Sequence, residues 1–155
     1  MKASLLVVTS LLGALPQSTA APDPLIGRWA LNLSRTHYGP GVALRREETF
    51  TCEPISRGVR CTIRSVRVGG ETLTGRFAAA YDGRDYRAAG IPGVDHVSLR
   101  RIDDFIADAT FTSNGQPVFG YRVVRSSDGR HLTVVSVDPV TRVVLNSVVV
   151  YDRIR

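Results

Sequence analysis

Three histidines, His37, His96 and His131, are the side chains of this 155-residue chain best suited to proton transfer or metal binding near neutral pH. They lie far apart, and none has a partner at a metal-ligand spacing. His96 sits between Asp95 and Val97; successive strand residues point to opposite faces, so Asp95 and His96 are not expected to form a relay. There is no Gly-x-Ser-x-Gly nucleophile elbow. Asp82-Gly83-Arg84-Asp85 and Asp103-Asp104 are acidic, but they lack the spacing of a calcium loop and read as turns. The pattern therefore predicts no catalytic residue, no metal and no cofactor. The densest polar–aromatic stretch is YDGRDY, residues 81–86. With Asp95 and His96 beyond the next loop, it is the first place to expect recognition on a loop. An isomerase or hydrolase centred on Tyr86, Asp95 and His96 is the enzymatic alternative.

The two cysteines carry a different chemistry. In TFTCEPISRGVRCTI, an antiparallel pairing whose residue numbers sum to 113 sets Cys52 opposite Cys61, Phe50 opposite Ile63 and Glu53 opposite Arg60. Ile55-Ser56-Arg57-Gly58 is left as the turn. Opposed positions lie within disulfide reach, so the pair reads as a structural disulfide made in an oxidising compartment.

Short alternating segments must position these residues. Gly27 to Leu33 reads as a strand with Trp29, Leu31 and Leu33 on one face. Leu44 to Cys52 and Val59 to Val68 are the cysteine hairpin. Leu73, Gly75, Phe77, Ala79 and Tyr81 share a face of the next strand, and residues 87–93 read as a loop. Val94 to Arg101, Phe105 to Thr112, Pro117 to Arg125, His131 to Val137 and Val143 to Arg153 complete the set. Turn signals recur about every 8–12 residues, and no segment has a helical period. The expected class is all-β: an antiparallel up-and-down β-barrel of about 8–10 strands, closed because closure removes sheet edges. A sandwich is the alternative.

By the same alternation Phe50, Phe77, Tyr81, Phe111, Phe119 and Tyr121 face inward. Ala79, Ala107, Ala109, Gly75 and Gly120 lie on or near those faces. Small residues beside aromatic ones leave room for an apolar cavity, with a solid core as the alternative. Tyr86 and His96 join the expected lining as residues at loop ends.

The formal charge is +6, and every basic residue after Lys2 is arginine. The arginines are scattered among 14 acidic residues, whereas a nucleic-acid surface would cluster them. No nucleic-acid partner is expected. Lys2, the apolar run 5–15 and the small residues 18–21 follow the order of a secretory signal peptide. No later stretch is long and apolar enough to span a bilayer as a helix. The expectation is a signal peptide over 1–21, one domain over 22–155, and export to the periplasm or outside the cell.

The stretches IGRWALNLSRTHYGPG, YDGRDYRAAGIPGVDHVSLRRID, VSVD and VVVYDR together resemble a group of small exported bacterial proteins described as lipocalin-like. The resemblance covers nearly the whole chain after the signal peptide. Likeness to lipocalins proper rests on Gly27-x-Trp29 in the first strand and on Arg153 after the last apolar run. It implies that Trp29 closes one end of a barrel and that Arg153 packs across it. The acidic motif that lipocalins carry between two middle strands is not readable here, and there is no evident C-terminal helix. The function implied is non-covalent binding of a small apolar or amphipathic molecule inside the barrel. A cell-envelope interaction module with a filled core is the alternative.

Overall fold

A computed structural model describes residues 22–155; the expected signal peptide lies outside the described residues. Ten strands follow one another: β1 (Gly27–Leu31), β2 (Arg45–Ile55), β3 (Gly58–Arg67), β4 (Thr72–Ala80), β5 (Tyr86–Ala89), β6 (His96–Arg101), β7 (Ile106–Ser113), β8 (Gln116–Arg125), β9 (His131–Val137) and β10 (Val144–Ile154). Each pairs antiparallel with the next, and β1 returns to pair with β10. The sheet is thus a closed barrel, the up-and-down form expected.

Two elements depart from the sequence reading. β5 overlaps the stretch 87–93 that reads as a loop. Its four residues are too few to show alternation, yet Ala88 pairs with Phe77 and is buried. At the other departure, β1 stops at Leu31, and a 3-10 turn (Leu33–Arg35) leaves Leu33 exposed. Local polar bonds compete with the ladder there. The Asn32 amide donates to Asp152 at 2.7 Å, and Ser34 donates back to Asn32 at 2.7 Å.

One end of the barrel is sealed. Trp29 is fully buried, and its indole N–H donates to the Leu25 carbonyl at 3.0 Å. Arg153, opposite Trp29 in the ladder, holds its guanidinium 5.3 Å from the ring centroid, a cation–π distance. Gly27 makes room for this packing. Its φ is +145°, and a Cβ there would lie 3.1 Å from the indole. The segment from Pro22 to Ile26 crosses the same end. Arg101 donates to the Pro22 carbonyl at 2.7 Å, Arg125 to the Asp23 carbonyl at 3.0 Å, and the Tyr81 hydroxyl to the Asp23 carboxylate at 2.8 Å.

The cysteine hairpin has the expected register. Cys52 pairs with Cys61, Phe50 with Ile63 and Glu53 with Arg60, and a disulfide joins the cysteines across a Cα–Cα distance of 4.2 Å. The bridge is buried next to the sealed end. Closing a ten-residue loop contributes about 2–3 kcal/mol by chain entropy. The Cys52→Ala, Cys61→Ala double variant should lose about that much in urea unfolding followed by Trp29 emission. An unchanged midpoint would show that the bridge leaves the unfolded chain no more constrained.

Candidate ligand cavity

The opposite end is open, and from it a cavity of about 440 Å³ runs into the barrel. This is the size of a small-molecule site. Leu25, the residue that accepts the Trp29 indole N–H, lies on its floor. Phe50, Phe77, Phe111, Phe119 and Tyr121 stand on its wall. Phe111 meets Phe77 and Tyr121 edge-to-face, with centroids 6.2 and 5.7 Å apart. Ala109 is also on the wall. Gly75 makes room for a neighbouring side chain instead. A Cβ there would lie 2.6 Å from Ile91, which folds over it at the rim.

The wall carries one polar cluster, and the sequence reading did not single it out. Glu48, buried on β2, accepts hydrogen bonds from the Ser65 hydroxyl of β3 and the Tyr151 hydroxyl of β10. Arg45 Nη1 donates to the same carboxylate at 3.0 Å. The Arg45 guanidinium also lies 5.9 Å from the Tyr38 ring centroid. The buried Tyr38 hydroxyl has no hydrogen-bond partner among the described residues. Burial is the largest influence on Arg45 and works against its charge, but Glu48 and the phenols of Tyr151, Tyr121 and Tyr38 together outweigh it and raise the guanidinium pKa. Burial pushes the Tyr151 phenol well up, and Glu48 pushes it further. Tyr121 is raised by burial as well. A carboxylate inside an apolar barrel is costly unless it is paired and hydrogen-bonded. Glu48 is both.

Three expected lining residues stand elsewhere. Tyr81 packs at the sealed end, bonded to Asp23. Tyr86 shares the face of its ladder partner Val97, but its hydroxyl donates to Asp82 at 2.8 Å in the turn after β4, again at the sealed end. The YDGRDY stretch is therefore remote from the mouth. His96 has the opposite parity to buried Val97 and lies on the outer surface. There its Nδ1 is 2.9 Å from Asp95 Oδ1. That contact corrects the expectation that the two residues would not meet. β6 begins at His96, so Asp95 is not in the strand and the opposite-face rule does not apply to it. The Asn114 backbone N–H, then His96, hold the Asp95 carboxyl below its usual range. Tyr86 pairs beside His96 in the ladder, but its side chain takes the inner face and its hydroxyl turns to Asp82 while Asp95–His96 lie outside, so these three residues form no common site.

Comparison with family models, with curated proteins and with solved structures finds no match. The ten-strand antiparallel barrel is consistent with a lipocalin-like fold, and the reading of the site rests on its own geometry.

The raised Tyr151 pKa sets a direction for pH dependence. Its contribution to stability is whole below about pH 10, where an unfolded tyrosine ionises, and is lost as pH rises toward the folded-state value. Urea unfolding should therefore show falling stability above about pH 10. Tyr151→Phe removes a donor from buried Glu48 and should cost about 1–3 kcal/mol at neutral pH. Its alkaline decline should be shallower but not absent, because Tyr81 and Tyr121 are raised too. An unaltered alkaline slope in this variant would remove Tyr151 as its source.

Proposed function

We propose that the protein binds a small, partly apolar molecule non-covalently inside the barrel. The observation that carries this reading is the Arg45–Glu48–Tyr151–Ser65 cluster on the wall of an otherwise largely apolar cavity with a single sealed end. Burying apolar ligand surface supplies the driving force, about 25 cal/mol per Å² before ordering costs. The cluster supplies orientation. Arg45 makes one side-chain hydrogen bond among the described residues, so its other N–H donors are available to an acceptor on the ligand.

The register supports one orientation for that ligand. On β2, inward residues climb from Cys52 through Phe50 to Glu48, so Glu48 is the nearest of them to the mouth. Phe77 pairs with Cys61 at the lowest layer and Ile63 with Phe50 at the next. The apolar body of the ligand therefore points down toward Leu25, and its polar, hydrogen-bond-accepting end stays near Arg45. Export fits this picture. A disulfide is present, and disulfides persist in oxidising compartments.

Native mass spectrometry of protein purified from its own compartment is the direct test. The expected result is a discrete excess mass that disappears on denaturation and is absent from Ala109→Trp, whose indole would occupy the cavity. The same excess mass on Ala109→Trp would place the molecule outside the barrel. A bare mass in both, persisting after incubation with cell lipid extract, would overturn the reading.

A further inference from the structure

Eleven large apolar side chains are exposed among the described residues, and eight of them crowd the open end. The connection from β9 to β10 contributes Val140, Val143 and their neighbours. The start of β8 contributes Val118 and Phe119. Leu44 and Val68 sit side by side beyond β2 and β3, where the Val68 N–H donates to the Leu44 carbonyl at 3.3 Å. In ladder order they fall in two groups, one at β3 and β2 and one from β10 across β9 to β8, on either side of β1, which contributes none. Only Ile102 and Phe105 are comparably exposed at the sealed end. Clustering of this kind marks a contact surface, unlike apolar residues scattered singly.

We propose that this rim seats on the surface of a lipid bilayer, with the cavity mouth turned toward the acyl chains. Three observations favour lipid over another occupant. The apolar residues border part of an opening and come from separate strand ends, which suits insertion into a fluid layer better than docking on a fixed partner. Charges on the rim nearly cancel and do not oppose insertion. Arg67 is paired with Glu71 at 3.2 Å, Arg46 is followed by Glu47, and Arg142 is drawn off to Asp108 at 3.1 Å. Over the whole chain, by contrast, the charge is +6, of which Lys2 in the expected signal peptide supplies one. That excess attracts the protein to anionic headgroups at long range. Finally, Val118, Phe119 and Leu145 belong both to the exposed rim and to the cavity wall. The apolar surface is therefore continuous from the layer to the interior. Insertion is shallow, by side chains of the rim alone.

Co-sedimentation with vesicles of phosphatidylethanolamine and phosphatidylglycerol tests the proposal. The variants are Val140→Glu with Val143→Glu at the rim, and Ile102→Glu at the sealed end. Wild type and Ile102→Glu should bind alike. The rim variant should bind about tenfold more weakly or worse, with native Trp29 emission showing that it is folded. No binding by wild type, or equal loss in both variants, overturns the proposal. So does a dimer in sedimentation velocity that the rim substitutions dissociate while wild type ignores vesicles, because the rim would then join two copies of the chain. Vesicle binding by protein that is empty in native mass spectrometry would keep this proposal and discard the ligand reading, so the two fail separately.

Discussion

The pairing of β1 with β10 is the constraint on which the rest of the structure depends. Without it the sheet would have two long edges and no interior. Trp29 opposite Arg153 makes that joint and seals one end at once. The Gly27 conformation gives the indole its place. The bond from the indole to Leu25 draws the preceding segment across the opening, where Tyr81, Arg101 and Arg125 fasten it. The bonds from Trp29, Arg101 and Arg125 satisfy backbone carbonyls that would otherwise be left unpaired in a tight end, and Tyr81 holds the Asp23 carboxylate. The interior can therefore communicate with solvent chiefly through the far end.

Inside such a barrel a charge needs a reason. Several kcal/mol of desolvation stand against burying a carboxylate, and apolar residues of similar volume would pack at least as well. Glu48 recovers its cost through three donors from β2, β3 and β10. The arrangement also fixes the Arg45 side chain over Tyr38. If stability alone shaped this wall, the cheaper solution would be a row of valines like those on β10. On the proposed function, the polar cluster would discriminate among ligands that the apolar wall would accept equally.

How far the sequence was legible follows from what strand alternation states. Alternation states which face a residue takes, and the cysteine pairing adds a register, so the β2–β3 hairpin could be read residue by residue. It does not state height along the barrel axis, which depends on the stagger between strands. Tyr81 follows the inward parity of Phe77 and Ala79 yet stands at the sealed end, and Tyr86 pairs inward with Val97 yet reaches back to Asp82. Glu48 was within reach of the same logic, because it shares parity with Phe50 and Cys52. Its partners were not. Ser65 and Tyr151 are brought to it by strand pairing and barrel closure across 17 and 103 residues of chain. The open ends of strands were read least well, as Asp95 shows. Where a strand begins decides whether neighbouring residues are forced apart.

The two ends differ in chemistry as well as in closure, and on the proposed function the difference would order the events of binding. At the sealed end, charged side chains are tied to backbone carbonyls, and little apolar surface is offered to solvent. At the mouth, apolar side chains face outward and the polar cluster lies just inside them. On the proposed reading, a molecule with one polar end would pass the cluster with its apolar part first, toward the deeper layers of Phe50, Phe77 and Phe111. Its polar end would arrive last, at Arg45, whose remaining N–H donors make no other side-chain bond among the described residues. The reverse orientation would carry a polar group to a floor formed by Leu25, whose carbonyl already accepts the Trp29 indole N–H. On the proposed reading, orientation would thus be set by where the wall is polar, and the closure of β1 on β10, which seals one end, would favour that orientation.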